Sequence, residues 1–325
     1  MPSFWARRER RVTDILSIMS KEERAAFSLC ALYEDAGFKK YRMSKFEEYA
    51  LYVQNKDFLV SENVITFTDT DGKLLALKPD VTLSIIKNTR PAEGVMKVYY
   101  KENVYRVSKG TRSFKELMQA GLECLGDVTT ETVIEVLALA AKSLDSISEQ
   151  NVLEISHLDI VSGVLSTLAV SEEAAREILL HLGEKNVNGV RAVARRENLS
   201  AVQSSLLERL VTVYGAPDKV LPALKELAIT PVLSAAIAEL EAIVSGLAAT
   251  GISEKLIIDF SVVNDMNYYN GIAFKGFVYG IPVGILSGGE YDGLLKKMQK
   301  NEKGIGFAVY LDELSRLGEA KGAAE

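Results

Sequence analysis

Two strand-like runs, MKVYYKENVYRV ending at Val107 and FKELMQAGLECL over 114–125, are joined only by the polar loop SKGTRS. A link this short cannot carry a parallel crossover, which needs a dozen or more residues, so the two runs pair antiparallel. ITFTDTDGKLLALK repeats the device on a smaller scale, with two short runs flanking Thr70-Asp71-Gly72, a composition suited to a hairpin turn. After residue 250, β character returns in KLIIDFSVV, YNGIAFKGFVYG, PVGILSGG and GIGFAVYL. Hairpins without regular βαβ alternation predict an antiparallel sheet with segregated helices, an α+β fold.

Helical spacing of apolar residues runs over 12–37 and stops at Gly37, and it recurs over 131–146, 291–298 and 311–319. Asp80, next to Pro79, can cap a short helix over 80–88. Residues 171–250 are rich in Ala, Leu, Glu and Lys, which predicts a helical insertion at 171–250 within a core made of 1–170 and 251–325. The net charge of −6 and pI near 5.3 argue against sequence-independent nucleic-acid binding, which needs a surplus of basic residues on one face. Cys30 and Cys124 stand far apart without metal-ligand spacing, and His157 and His181 are too separated for a default metal or triad site. No metal or cofactor is expected, and no GxxxxGK[ST] phosphate loop is present. The charged N-terminus and the absence of a run of about 18 apolar residues predict a cytoplasmic protein without a membrane span.

Gln119, Gly121 and Glu123 fall at a spacing of two, so they share one face of a strand, with the glycine leaving room between an amide and a carboxylate. Such a floor can hold the ammonium of an amino acid, while Arg106 on the partner strand can hold a carboxylate or phosphate. The same spacing also fits a solvated strand face with an Arg–Glu pair. In NDMNYYNGIAF a strand would send Tyr268 and Tyr269 to opposite faces, one ring entering a pocket. In SGGEYDG, Gly288 and Gly289 permit either a tight turn or close approach to a ligand as pocket wall, and Asp292 can cap the next helix.

Taken in order, FEEYALY from residue 46, LALKPDVT at 75–82, VYR to LMQAGLE at 104–123, NYYNG at 267–271, SGGEYDG at 287–293 and GIGFAVYLDEL at 304–314 resemble the histidyl-tRNA synthetase catalytic core. The resemblance implies a class II aminoacyl-tRNA synthetase-like fold: an antiparallel sheet flanked by helices, a helical insertion before the last strands, and dimerisation through the first motif region. By that resemblance Asp80 and Thr82 match the amino-acid-binding Pro-Glu-Gly-Thr region, with Asp in place of Glu. Arg106, Gln119 and Glu123 match second-motif contacts, and Tyr268 and Tyr269 match the imidazole-side tyrosine pair, a histidine-binding set.

The departures from the synthetase pattern decide the expected function. Asn264 stands where the family has an arginine, Glu290 replaces the arginine of Gly-Gly-Arg-Tyr-Asp-Gly, and Tyr310-Leu311-Asp312-Glu313 replaces Gly-Leu-Glu-Arg. Ser108 replaces the glutamate of Phe-Arg-x-Glu. Each lost contact to a charged transition state costs on the order of 3 kcal/mol of barrier, by analogy with single oxyanion donors. Adenylation is therefore not expected, and a sequence stopping at residue 325, just after the third motif, leaves out the family's anticodon-binding platform, so no tRNA partner is expected. The pattern is similar to the ATP phosphoribosyltransferase regulatory subunits. That resemblance implies a non-catalytic subunit that activates a short-form catalytic subunit in the first step of histidine biosynthesis. It also implies a homodimer within a hetero-octamer and a part in feedback by histidine. The alternatives are a stand-alone ATP-dependent amino-acid-activating enzyme drawing replacement cations from Lys109, Arg112 or Lys303, and an amino-acid-sensing module for another partner.

Overall fold

A computed structural model describes residues 17–59, 64–89, 93–107, 113–263 and 268–316. Its strands, in chain order, begin with β1 (Lys39–Lys40), β2 (Phe46–Glu48), β3 (Thr66–Thr68), β4 (Leu74–Leu77), β5 (Val95–Val107) and β6 (Phe114–Gly126). They continue with β7 (Asn151–His157), β8 (Tyr214–Gly215), β9 (Leu256–Asp259), β10 (Asn270–Val278), β11 (Leu286–Glu290) and β12 (Lys303–Tyr310). Nine of these form one sheet in the order β1-β5-β6-β12-β11-β10-β7-β9-β8, and β2-β4-β3 form a separate small sheet.

The short link between β5 and β6 gives the expected hairpin, paired from Val95 opposite Gly126 to Val107 opposite Phe114. The β3–β4 turn closes as its composition predicts. Gly72 takes a positive φ of 80°, and Asp69 Oδ1 accepts from the amides of Asp71 and Lys73 at 2.9 and 2.8 Å. From β5 to β7 every pairing is antiparallel. The flanks differ from a purely antiparallel sheet: β1 pairs parallel with β5, and β7 parallel with β9. Chain length explains both, because long segments with their own helices separate the partners and permit a crossover.

On one face of the large sheet lies a continuous core that receives the helices Lys21–Asp35, Thr130–Ile147, Leu158–Leu168 and Pro231–Ala249. Tyr33 of the first helix hydrogen-bonds Ser143 of the second at 3.1 Å inside that core. The helices at Glu172–Gly183, Val187–Arg196, Ala201–Thr212 and Pro217–Leu224 send Ile178, Val190, Leu207 and Leu224 into the same core. Pro231–Ala249 is long and apolar enough to cross a membrane by composition, yet Leu233, Ile237, Leu240, Ile243 and Leu247 are buried in the core, and Glu239 and Glu241 interrupt its apolar run. Cys124 is buried and Cys30 half-buried, both as free thiols.

A second, smaller core lies against the opposite face, where the helices Tyr49–Gln54 and Thr82–Asn88 cover Val98, Tyr100 and Leu125. As the sequence predicts, Asp80 caps the second of these, its Oδ1 accepting from the Leu83 amide at 3.0 Å. Glu47 of β2 ties the small sheet to the same helix through the Ser84 hydroxyl and the Lys87 ammonium, each at 2.7 Å.

Candidate functional site

Residues directly opposite one another in a sheet share a face. Val98, Glu123, Gly306, Gly289, Ala273 and Ser156 are successive partners across β5, β6, β12, β11, β10 and β7, so they form one row. The two glycines are required by what lies over them. A Cβ at Gly306 would collide with the Glu123 carboxylate, and one at Gly289 would stand 2.8 Å from Cδ1 of Tyr269.

Glu123 is buried in the middle of this face. The Thr82 hydroxyl, from the first turn of the 82–88 helix, donates to its Oε1 at 2.7 Å, and the Tyr291 hydroxyl donates to its Oε2 at 2.5 Å. Burial pushes the carboxyl up to about 8; the two hydroxyls oppose the shift and neighbouring Asp80 adds to it. Asp80 is itself raised by burial, against the pull of Arg106 and of the backbone amides it caps. Arg106 donates from Nε to the Pro79 carbonyl at 2.8 Å and holds Nη2 4.0 Å from Asp80 Oδ2. Positive charge therefore enters at the Asp80 end, while Glu123 is met by neutral hydroxyls.

The structure brings Asp80, Thr82, Arg106, Glu123 and Tyr268 into one electrostatically coupled group, since Asp80 and Glu123 both act on the Tyr268 phenol, which burial already raises far above its usual range. Gln119 shares the Glu123 face four residues earlier on β6; it is buried, and among the described residues its Nε2 has no hydrogen-bond partner. Next to it, Tyr310 stands where the synthetase pattern has glycine, its hydroxyl 2.5 Å from Ser287 Oγ.

Three expectations are corrected. Tyr268 and Tyr269 precede β10, which starts at Asn270, so they do not alternate across a strand; their rings meet edge to face with centroids 4.8 Å apart. Tyr268 also packs against Tyr291 and Phe58, with centroids 6.3 and 6.2 Å away. Gly288 is not a pocket wall. It points to the helical face, where a Cβ would stand 2.5 Å from Phe274 and Phe307 atoms, and Gly289 alone of the pair lies on the Glu123 side. The space above Gly121 is filled by the Tyr100 phenol, whose hydroxyl would be 2.6 Å from a Cβ there.

Glu290 turns to the helical face, opposite Ile305, where its Oε2 accepts from the Ile272 amide at 2.7 Å. Burial pushes its carboxyl up to about 7, against that hydrogen bond. Lys303 stands on the same helical face of β12, and its charge acts on Glu239 rather than on Glu123. Asn264, Ser108, Lys109 and Arg112 lie outside the described residues. Tyr291 and Tyr100, both central to the Glu123 environment, escaped the sequence reading; Tyr291 sat inside SGGEYDG, one residue beyond the position that drew notice. An open recess of about 610 Å³ on the small sheet, lined by Glu48, Tyr49, Ala50, Val53, Lys73 and Leu74, shares no residue with this group.

The family model for histidyl-tRNA synthetase matches residues 14–314. The ATP phosphoribosyltransferase regulatory subunit of Thermoanaerobacter sp. (strain X514) is 30% identical over 282 residues, covering 85% of this chain and 73% of the relative. That of Ruminiclostridium cellulolyticum is 28% identical over 296 residues, covering 89% and 70%. Among solved structures, an ATP phosphoribosyltransferase regulatory subunit/histidyl-tRNA synthetase from Bacillus halodurans superposes with a TM-score of 0.80 at 27% identity, covering 92% of this chain and 79% of that one. The ATP phosphoribosyl transferase complex of Thermotoga maritima contains a similar fold, with a TM-score of 0.70 at 19% identity over 89% of this chain and 97% of that one. Motif order, sheet topology and these matches agree: the chain belongs to the histidyl-tRNA synthetase family and, within it, to the ATP phosphoribosyltransferase regulatory subunits.

Proposed function

We infer that this protein is a non-catalytic regulatory subunit of ATP phosphoribosyltransferase that binds L-histidine on the Glu123 face of its sheet. The observation that carries the ligand assignment is the Glu123 carboxyl, buried between the Thr82 and Tyr291 hydroxyls with its affinity for a proton raised. A buried carboxyl lacking a cationic partner gains charge-assisted hydrogen bonds when an ammonium arrives. The edge-to-face tyrosines at 268 and 269 offer an aromatic wall for a flat side chain, and Asp80 offers an acceptor for a ring N–H.

The partner is a short-form catalytic subunit, supported by the names of the relatives and by the Thermotoga maritima complex. Homodimers of this chain within a hetero-octamer, in the cytoplasm, complete the proposed assembly. Mixing the purified protein with a short-form catalytic subunit tests the assignment: a stable complex, increased phosphoribosyl transfer and inhibition of the complex by L-histidine are expected. Absence of both a complex and a rise in activity refutes the regulatory role.

A further inference from the structure

The register of β10 against β11 breaks between Asn270 and Ala273. A β-bulge of this kind releases backbone groups from the ladder and re-aims the chain that enters it. The chain entering here is Tyr268–Tyr269. Gly271, inside the bulge, has a φ of 53°, and a Cβ at that position would collide with the Glu290 carboxylate. The freed amide of Ile272 donates to Glu290 Oε2 at 2.7 Å in a buried setting. Upstream of the bulge, the Tyr269 ring rests on Gly289, the residue preceding Glu290, and Tyr268 packs on Tyr291, the residue following it.

We propose that Glu290 is the positioning residue for the tyrosine wall of the ligand face: its carboxylate clamps the β10 bulge from which Tyr268 and Tyr269 project. The assignment rests on the Glu123 face being the histidine site. It gives the acid that replaces the synthetase arginine a constructive part, because an arginine has no acceptor to offer the Ile272 amide. Glutamine retains such an acceptor, so a clamp and a charge are separable by substitution.

The experiment compares wild type with Glu290→Gln, Glu290→Ala and Gly271→Ala, using hydrogen exchange over residues 268–276 and calorimetric titration with L-histidine. In wild type the Ile272 amide exchanges slowly. Glu290→Ala and Gly271→Ala accelerate exchange at Ile272 and weaken histidine at least tenfold, while Glu290→Gln restores slow exchange and binds within about threefold of wild type. Glutamine keeps the size of the side chain as well as its acceptor, so Glu290→Leu, which fills similar space without an acceptor, separates the two roles: the clamp requires fast exchange at Ile272 in Glu290→Leu, and slow exchange there overturns it. Fast exchange at Ile272 in wild type, or equal exchange and affinity in wild type and Glu290→Ala, overturns the clamp. Should the alanine variants not fold, wild-type exchange and the glutamine variant still decide: fast exchange in either overturns it. If wild type binds no histidine while Glu290→Ala speeds exchange at Ile272, histidine is not the ligand and the clamp stands.

Discussion

Replacing Glu123 with glutamine should stabilise the unliganded protein and cripple it as a histidine binder. Burial pushes the Glu123 carboxyl from its ordinary 4.5 up to about 8 in the folded protein. The sign follows from proton counts. Between pH 4.5 and 8 the folded state keeps the proton and the unfolded state has lost it, so stability is full below the lower value and falls as pH rises through the upper one. Each unit of pH in that window costs about 1.4 kcal/mol, so this one group removes about 3 kcal/mol by pH 7 and on the order of 5 above pH 8. Glutamine presents the same shape to Thr82 and Tyr291 without a proton to lose. Urea unfolding at pH 5 and pH 8 should therefore show a much flatter dependence for Glu123→Gln, with the variant the more stable protein at pH 8. Asp80 and Glu290 tilt both proteins in the same direction, so the difference between them isolates Glu123. Equal pH dependence in the two proteins would refute the reasoning. Histidine binding should move the other way, weakening by about 1.5–3 kcal/mol as the ammonium loses a charged acceptor.

An ammonium binding beside Glu123 should drive its proton off, so calorimetric titration with histidine at pH 7 in buffers of different ionisation enthalpy should report proton release that disappears in Glu123→Gln. Gly306→Ala should push the Glu123 carboxylate from its hydroxyls and destabilise the fold by about 1–3 kcal/mol in urea titration, with histidine binding lost. Arg106→Lys should keep a charge near Asp80 but lose the bond to the Pro79 carbonyl, at a cost of about 1 kcal/mol read from the unfolding midpoint. Pyrophosphate exchange with histidine and ATP should stay at background; activity above it would restore the stand-alone activating enzyme as an explanation.

Local chemistry was legible in the sequence where a short connection or a cap settled it. The SKGTRS link forced the β5–β6 hairpin, Thr70-Asp71-Gly72 marked the smaller turn, where Gly72 takes a positive φ, and Asp80 capped its helix. Alternation along β6 also put Gln119 and Glu123 on a common face. Features fixed by partners distant in sequence were not legible. The parallel pairings of β1 with β5 and β7 with β9 depend on where long helical excursions return. The filling of the Gly121 space by Tyr100 and the Tyr291 bond to Glu123 depend on the register of three strands. The tyrosine pair was misread because a period-two pattern does not show where a strand begins, and β10 starts at Asn270, after both rings.

Four consecutive positions on and just after β11 each answer to different neighbours: Gly288 to Phe274 and Phe307, Gly289 to Tyr269, Glu290 to Ile272 and Tyr291 to Glu123. Inserting or deleting one residue there would exchange the two faces at once, placing a carboxylate against aromatic rings and a glycine under the bulge. The segment thus tolerates neither a change of length nor a side chain at its two glycines, and variants of this subunit with altered ligand preference should be sought among its non-glycine side chains rather than in its spacing.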